Sequence, residues 1–71
     1  MKRQFLEDEI TRRGLTQAAV AAATDVSRQM ISHIIICRHN PGWDLQQRLV
    51  KFFGIPAETL LEESEINRKE V

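Results

Sequence analysis

The sequence predicts an all-α fold, a compact bundle of five short helices, and three observations carry that expectation. Apolar residues recur three and four positions apart, as on one face of a helix. Residues that stop or start helices interrupt this recurrence at short intervals: Gly14, Thr16, Ser27, Gly42, Gly54 and Pro56. No stretch of useful length alternates β-branched and polar residues as a half-buried strand would.

The first helix is expected over about Arg3 to Arg13, with Leu6, Ile10 and Phe5 turned inward. Gly14 suits a left-handed helix stop, and Leu15 is the apolar residue just beyond it. Thr16 then caps a second helix, Gln17 to about Ala23, whose QAAVAAA run is narrow enough for close approach by another helix. Ser27 caps a third, Arg28 to about Ile36. Beyond the Asn40-Pro41-Gly42 loop, a fourth helix runs from Trp43 or Asp44 to Phe53, with Leu45, Leu49, Phe52 and Phe53 as its apolar face. Gly54-Ile55 repeats the glycine-plus-apolar stop, and Pro56 opens a fifth short helix holding Leu60 and Leu61.

With 71 residues the chain has room for one small domain, expected over 1–63 with a polar, frayed tail at 64–71. A lone cysteine, Cys37, excludes an internal disulfide and fits a reducing cytoplasm. The longest apolar run, Ile34 to Cys37, is too short to span a membrane, and residues 2–5 lead into Glu7-Asp8-Glu9 rather than a signal-peptide core. These features point to a soluble cytoplasmic protein.

Net charge is zero, which by itself argues against a polyanionic partner. The distribution argues the other way. Between Ile10 and Pro56 stand Arg12, Arg13, Arg28, Arg38, Arg48 and Lys51, against only Asp25 and Asp44. The other carboxylates lie towards the two ends, so the middle can face nucleic acid while the ends face away.

The span GLTQAAVAAATDVSRQMISHI, Gly14 to Ile34, carries the functional reading. Two capped helices separated by a tight joint, with Ala21 at the crossing and Val20, Val26, Ile31 and Ile34 beneath, make a helix-turn-helix. The outer face of its second helix is left with Arg28, Gln29, Ser32 and His33, all able to hydrogen-bond to base edges in a major groove.

GLTQ, the AxxxTDVSRQMIS segment, the following NP and FFGIPAETLL together resemble the helix-turn-helix family of phage Cro proteins and phage repressors. The resemblance covers roughly Leu6 to Leu61. It implies a lambda-repressor-like five-helix fold and a short stand-alone transcription regulator, a repressor or Cro-like switch from a phage or prophage. It further implies a homodimer on a double-stranded DNA operator, at the nucleoid, with no cofactor and no small-molecule ligand. Matched position by position, Arg28, Gln29 and His33 fall on base-reading positions, with Ser32 on the same surface. Gln17 and Ser27 match phosphate-binding positions, and Arg38, His39 and Asn40 match the loop that grips the DNA backbone. Asp25 and Cys37 stand where the family favours glycine, and Thr24 where a larger apolar residue is usual. Many members join an arginine of the first helix to a glutamate near the end of the third. The matching positions here are Ile10 and Ile35, so both halves are apolar together and are expected to meet in the core.

Other chemistries fit less well. His33, Cys37 and His39 have metal-ligand spacing but lack a fourth ligand. Cys37 beside Arg38 can be read as a redox thiol, although a lone cysteine is more often an apolar filler. Trp43, Phe52 and Phe53 lack the interleaved basic residues of a single-strand binder. No nucleophile–base pair or phosphate loop is present, so no enzyme is expected. The competing function is a protein-binding module of the same fold, such as an antitoxin or an accessory subunit. For the DNA-binding homodimer, the C-terminal half is the expected dimer surface, with Trp43, Ile55, Leu60, Leu61 or Ile66 as candidates.

Overall fold

The computed structural model describes residues 1–64, and the five expected helices are there. They are α1 (Gln4–Arg12), α2 (Gln17–Thr24), α3 (Arg28–Ile35), α4 (Trp43–Phe53) and α5 (Ala57–Leu60). The fold class read from the sequence is therefore the fold observed, with helix ends displaced by a residue at most places. Leu6, Ile10, Val20, Ala21, Ile31, Ile34, Ile35, Leu49, Phe53 and Leu60 form one buried core. Leu15, Val26, Met30, Leu45, Ile55 and Leu61 pack against its edge. Ile10 and Ile35, expected to meet in the core, both lie in it at 4% and 2% exposure.

Two assignments to the inner faces need correction. Phe5 and Phe52 are both 37% exposed, because each sits one residue off the stripe set by Leu6–Ile10 and Leu49–Phe53. Phe52 instead packs edge-on against Phe53, with ring centroids 5.0 Å apart. Leu60, considered for a dimer surface, is fully buried within the monomer. Ile66 lies outside the described residues. Ser64, where the tail was expected to begin, pairs with Lys2. The Lys2 amide donates to the Ser64 carbonyl at 2.9 Å, and the Ser64 amide donates back at 2.7 Å.

Three helices end in one geometry, two orphan carbonyls each being taken up by the chain that follows. After α1, Leu15 N–H donates to Ile10 O and Gly14 N–H to Thr11 O. After α2, Val26 N–H donates to Ala21 O and Asp25 N–H to Ala22 O. After α3, Arg38 N–H donates to His33 O and Cys37 N–H to Ile34 O. Each requires a left-handed residue, supplied by Gly14 at φ 72°, Asp25 at φ 61° and Cys37 at φ 62°. Asp25 therefore keeps the turn of the helix-turn-helix without glycine, as its tolerance of that region allows. Thr24 is 1% exposed, and its hydroxyl donates to Val20 O at 2.8 Å, so the polar atom is satisfied inside the helix.

Glu9 is the acidic group drawn into the structure. It is 6% exposed and accepts from Arg12, and from Arg13 Nε at 2.7 Å. The hydrogen bond from Arg12, then that from Arg13, hold its carboxyl below the ordinary value of 4.5.

Two stability measurements follow. Relief of left-handed strain of about 1–2 kcal/mol, less a glycine entropy cost of about 0.5–1, leaves Cys37→Gly more stable by about 0.75 kcal/mol at the middle of the two ranges, with an upper bound of about 1.5. A urea midpoint unchanged or lowered in that variant would refute the strain argument. Because the Glu9 carboxyl is depressed on folding, its contribution is complete above the unfolded value and is lost as pH falls through the folded one. Glu9→Gln should therefore be less stable than the parent at neutral pH and lose less stability from about pH 5 downward. Parallel stability–pH curves would count against this.

Candidate nucleic-acid interface

The α2–α3 pair forms the most extensive helix–helix contact in the fold, and local sequence fixes both starts. Thr16 Oγ1 accepts from Ala19 N–H at 3.1 Å, and Ser27 Oγ accepts from Met30 N–H at 3.1 Å. Only Asp25, Val26 and Ser27 separate the helices. Ala21 is 3% exposed between them, where a larger side chain would force the helices apart. The α2 C-terminus is held from outside, Arg48 Nη1 of α4 donating to Thr24 O at 3.3 Å.

Ile31, Ile34 and Ile35 bury the inner stripe of α3 and so fix its rotation. The opposite stripe contains Arg28 and Gln29, both exposed, and Ser32 and His33, both half-buried. Among the described residues, none of these four side chains makes a hydrogen bond or ion pair within the protein. Ile36, immediately after the helix, is 42% exposed and continues the outer stripe as an apolar terminus.

The flanking candidates divide into two groups. Gln17 opens α2 and Ser27 opens α3, the latter with its hydroxyl already engaged as a cap. Arg38, His39 and Asn40 form an exposed loop beyond α3. Arg38 and His39 N–H both donate to His33 O, at 2.8 and 3.3 Å, which folds this loop back onto the end of the helix. The Asn40 amide oxygen accepts from Arg3 Nη2 at 2.8 Å, and its NH2 group makes no hydrogen bond among the described residues.

Arg3 is the residue beside this site whose burial the sequence did not signal. It stands at the expected start of the first helix, yet it is only 4% exposed. Its guanidinium donates to Ile34 O at 2.5 Å, His39 O at 3.2 Å, Leu61 O at 3.2 Å, Asn40 Oδ1 at 2.8 Å and Glu63 Oε2 at 3.1 Å. Its own amide donates to Ile35 O at 2.7 Å. No local pattern signals this, because every partner lies at least 31 residues away in sequence.

The basic middle of the chain is also less free than a charge count implies. Arg13 Nη2 donates to Phe53 O at 2.7 Å, its guanidinium lies 5.0 Å from the Phe53 ring centroid, and Arg12 pairs with Glu9. Arg28 and Arg38 are the arginines next to the outer stripe that have no carboxylate partner among the described residues. Among those residues, no three His, Cys, Asp or Glu side chains converge as metal ligands, and no helix is long and apolar enough to cross a membrane.

Comparison with characterised proteins and with solved structures gives no match. The family model described as "Helix-turn-helix domain" matches residues 6–63, which contain both helices of the motif, the outer stripe and the loop beyond it. By that match and by this geometry, the chain belongs to the helix-turn-helix domain family.

Proposed function

We propose that this protein is a sequence-specific transcriptional regulator that lays α3 in the major groove of double-stranded DNA. The observation that carries the reading is the outer stripe of α3, four hydrogen-bonding side chains on a helix locked in rotation by Ile31, Ile34 and Ile35. Arg28 suits guanine and Gln29 suits adenine by bidentate geometry, with Ser32 and His33 reading further along the groove. Gln17, Ser27, Arg38, His39 and Asn40 contact phosphates on either side and set the register of the helix. The regulator acts as a repressor or Cro-like switch of phage or prophage type, in keeping with the resemblance of its motifs.

One short reading helix contacts few base pairs, so the active species is a homodimer on two half-sites about one helical turn apart. Trp43, 72% exposed at the start of α4, together with the half-buried Ile55 and Leu61, provides the apolar part of the dimer surface. The same exposed tryptophan and the zero net charge are what favour the second reading, a protein-binding module of this fold.

Selection of bound duplexes from a random pool, followed by salt titration of the winner, separates the two readings. A roughly palindromic site with a steep salt slope is expected. The double variant Arg28→Ala with His33→Ala should weaken that site by at least about tenfold and leave random-sequence binding nearly intact. A folded protein that enriches no sequence would defeat the proposal.

A further inference from the structure

Arg3 lies outside the helix-turn-helix and before the first residue of the family match, yet its side chain ends where α3 and the loop beyond it meet. A guanidinium has five N–H donors, and Arg3 makes five side-chain hydrogen bonds. Three of them hold one junction: Ile34 O at the end of α3, His39 O in the loop and Asn40 Oδ1 at its far side. The other two tie that junction to Leu61 O and Glu63, and the Arg3 amide adds a bond to Ile35 O. Arg38 sits between the tethered points, exposed, with its amide bonded to His33 O.

We infer that Arg3 is a positioning residue for DNA binding, one that touches no DNA itself but fixes the path of Arg38-His39-Asn40 relative to α3. The inference rests on the DNA-reading function proposed above. A loop held at both His39 and Asn40 presents Arg38 to a phosphate at a set distance from the bases that α3 reads. Without the tether, the same cation must be ordered at the moment of binding, and part of its contact is lost. The chemistry requires arginine: lysine keeps the charge, but its compact ammonium cannot span carbonyls of α3, the loop and the chain after α5 together.

The test is a double-mutant cycle of Arg3→Lys and Arg38→Ala, read as affinity for the selected duplex and as the salt slope of binding. In the parent, Arg38→Ala should weaken binding and lower the slope by about one. In the Arg3→Lys background, Arg38→Ala should cost markedly less, since the tether is already gone. Additive losses, as expected if Arg3 merely stabilises the fold, would overturn the inference and leave the DNA-reading proposal standing. A parent that binds no duplex overturns both.

If Arg3→Lys does not fold, Asn40→Ala takes its place, with amide hydrogen exchange measured on the free protein. Loss of the Asn40 tether should speed exchange at Arg38 and His39 by about fivefold, the effect of one ordinary hydrogen bond, with α1 and α4 unchanged. Unaltered protection at those two amides would also overturn the inference.

Discussion

The structure depends on a single buried guanidinium. Arg3 places a full positive charge where almost no water reaches, an arrangement that is costly unless every donor finds an acceptor. Only one of its five acceptors, Glu63, is a carboxylate, and the others are neutral oxygens. The charge is balanced largely by dipoles: Ile34 O belongs to the C-terminal end of α3, where helix peptides present partial negative charge, and Leu61 O follows α5. The fold thereby draws the N-terminal segment, α3, its following loop and the chain after α5 to one point. The Lys2–Ser64 backbone pair closes the same region from outside.

The same device recurs at two other helix ends, each time with an arginine from a distant element. Arg48 of α4 reaches the last carbonyl of α2, and Arg13, just after α1, reaches the last carbonyl of α4. Helix C-termini expose unsatisfied carbonyls that a cation both bonds and stabilises electrostatically. In a domain with helices as short as these, such ends make up a large share of the backbone, so their satisfaction is a large part of what holds the bundle together. It also changes the electrostatic reading. Arg13 and Arg48 belong to the basic middle segment, yet both are committed to the fold, and Arg12 is paired with Glu9. The positive charge left beside α3 is concentrated in Arg28 and Arg38, which separates the arginines committed to the fold from those with no carboxylate partner among the described residues.

Local chemistry was well encoded. Thr16 and Ser27 cap the helices they were expected to cap, and Gly14 and Gly54 stop helices in the left-handed region. Asp25 and Cys37 adopt that region too, which shows that position in the motif, more than residue type, dictates the backbone there. The core was legible wherever helical periodicity was clean, as at Leu6 and Ile10 or at Ile31, Ile34 and Ile35. It failed at Phe5 and Phe52, where size and hydrophobicity suggested burial but the helical angle turned each ring to the rim.

By itself, the sequence determined the class of fold, the helix starts and stops, and which face of α3 carries Arg28, Gln29, Ser32 and His33. Each of these depends on residues within a turn or two of one another. The tertiary structure alone decided which charged residues are interior. Arg3 looked like any solvated arginine until residues 34, 39, 40, 61 and 63 converged on it. Glu9 looked like part of an acidic surface run until α1 packed and Arg12 and Arg13 closed over it. The acceptors around Arg3 come from segments far apart in the chain and leave no periodicity in it, whereas the partners of Glu9 stand three and four residues on at helical spacing, and only its burial needed the packed fold.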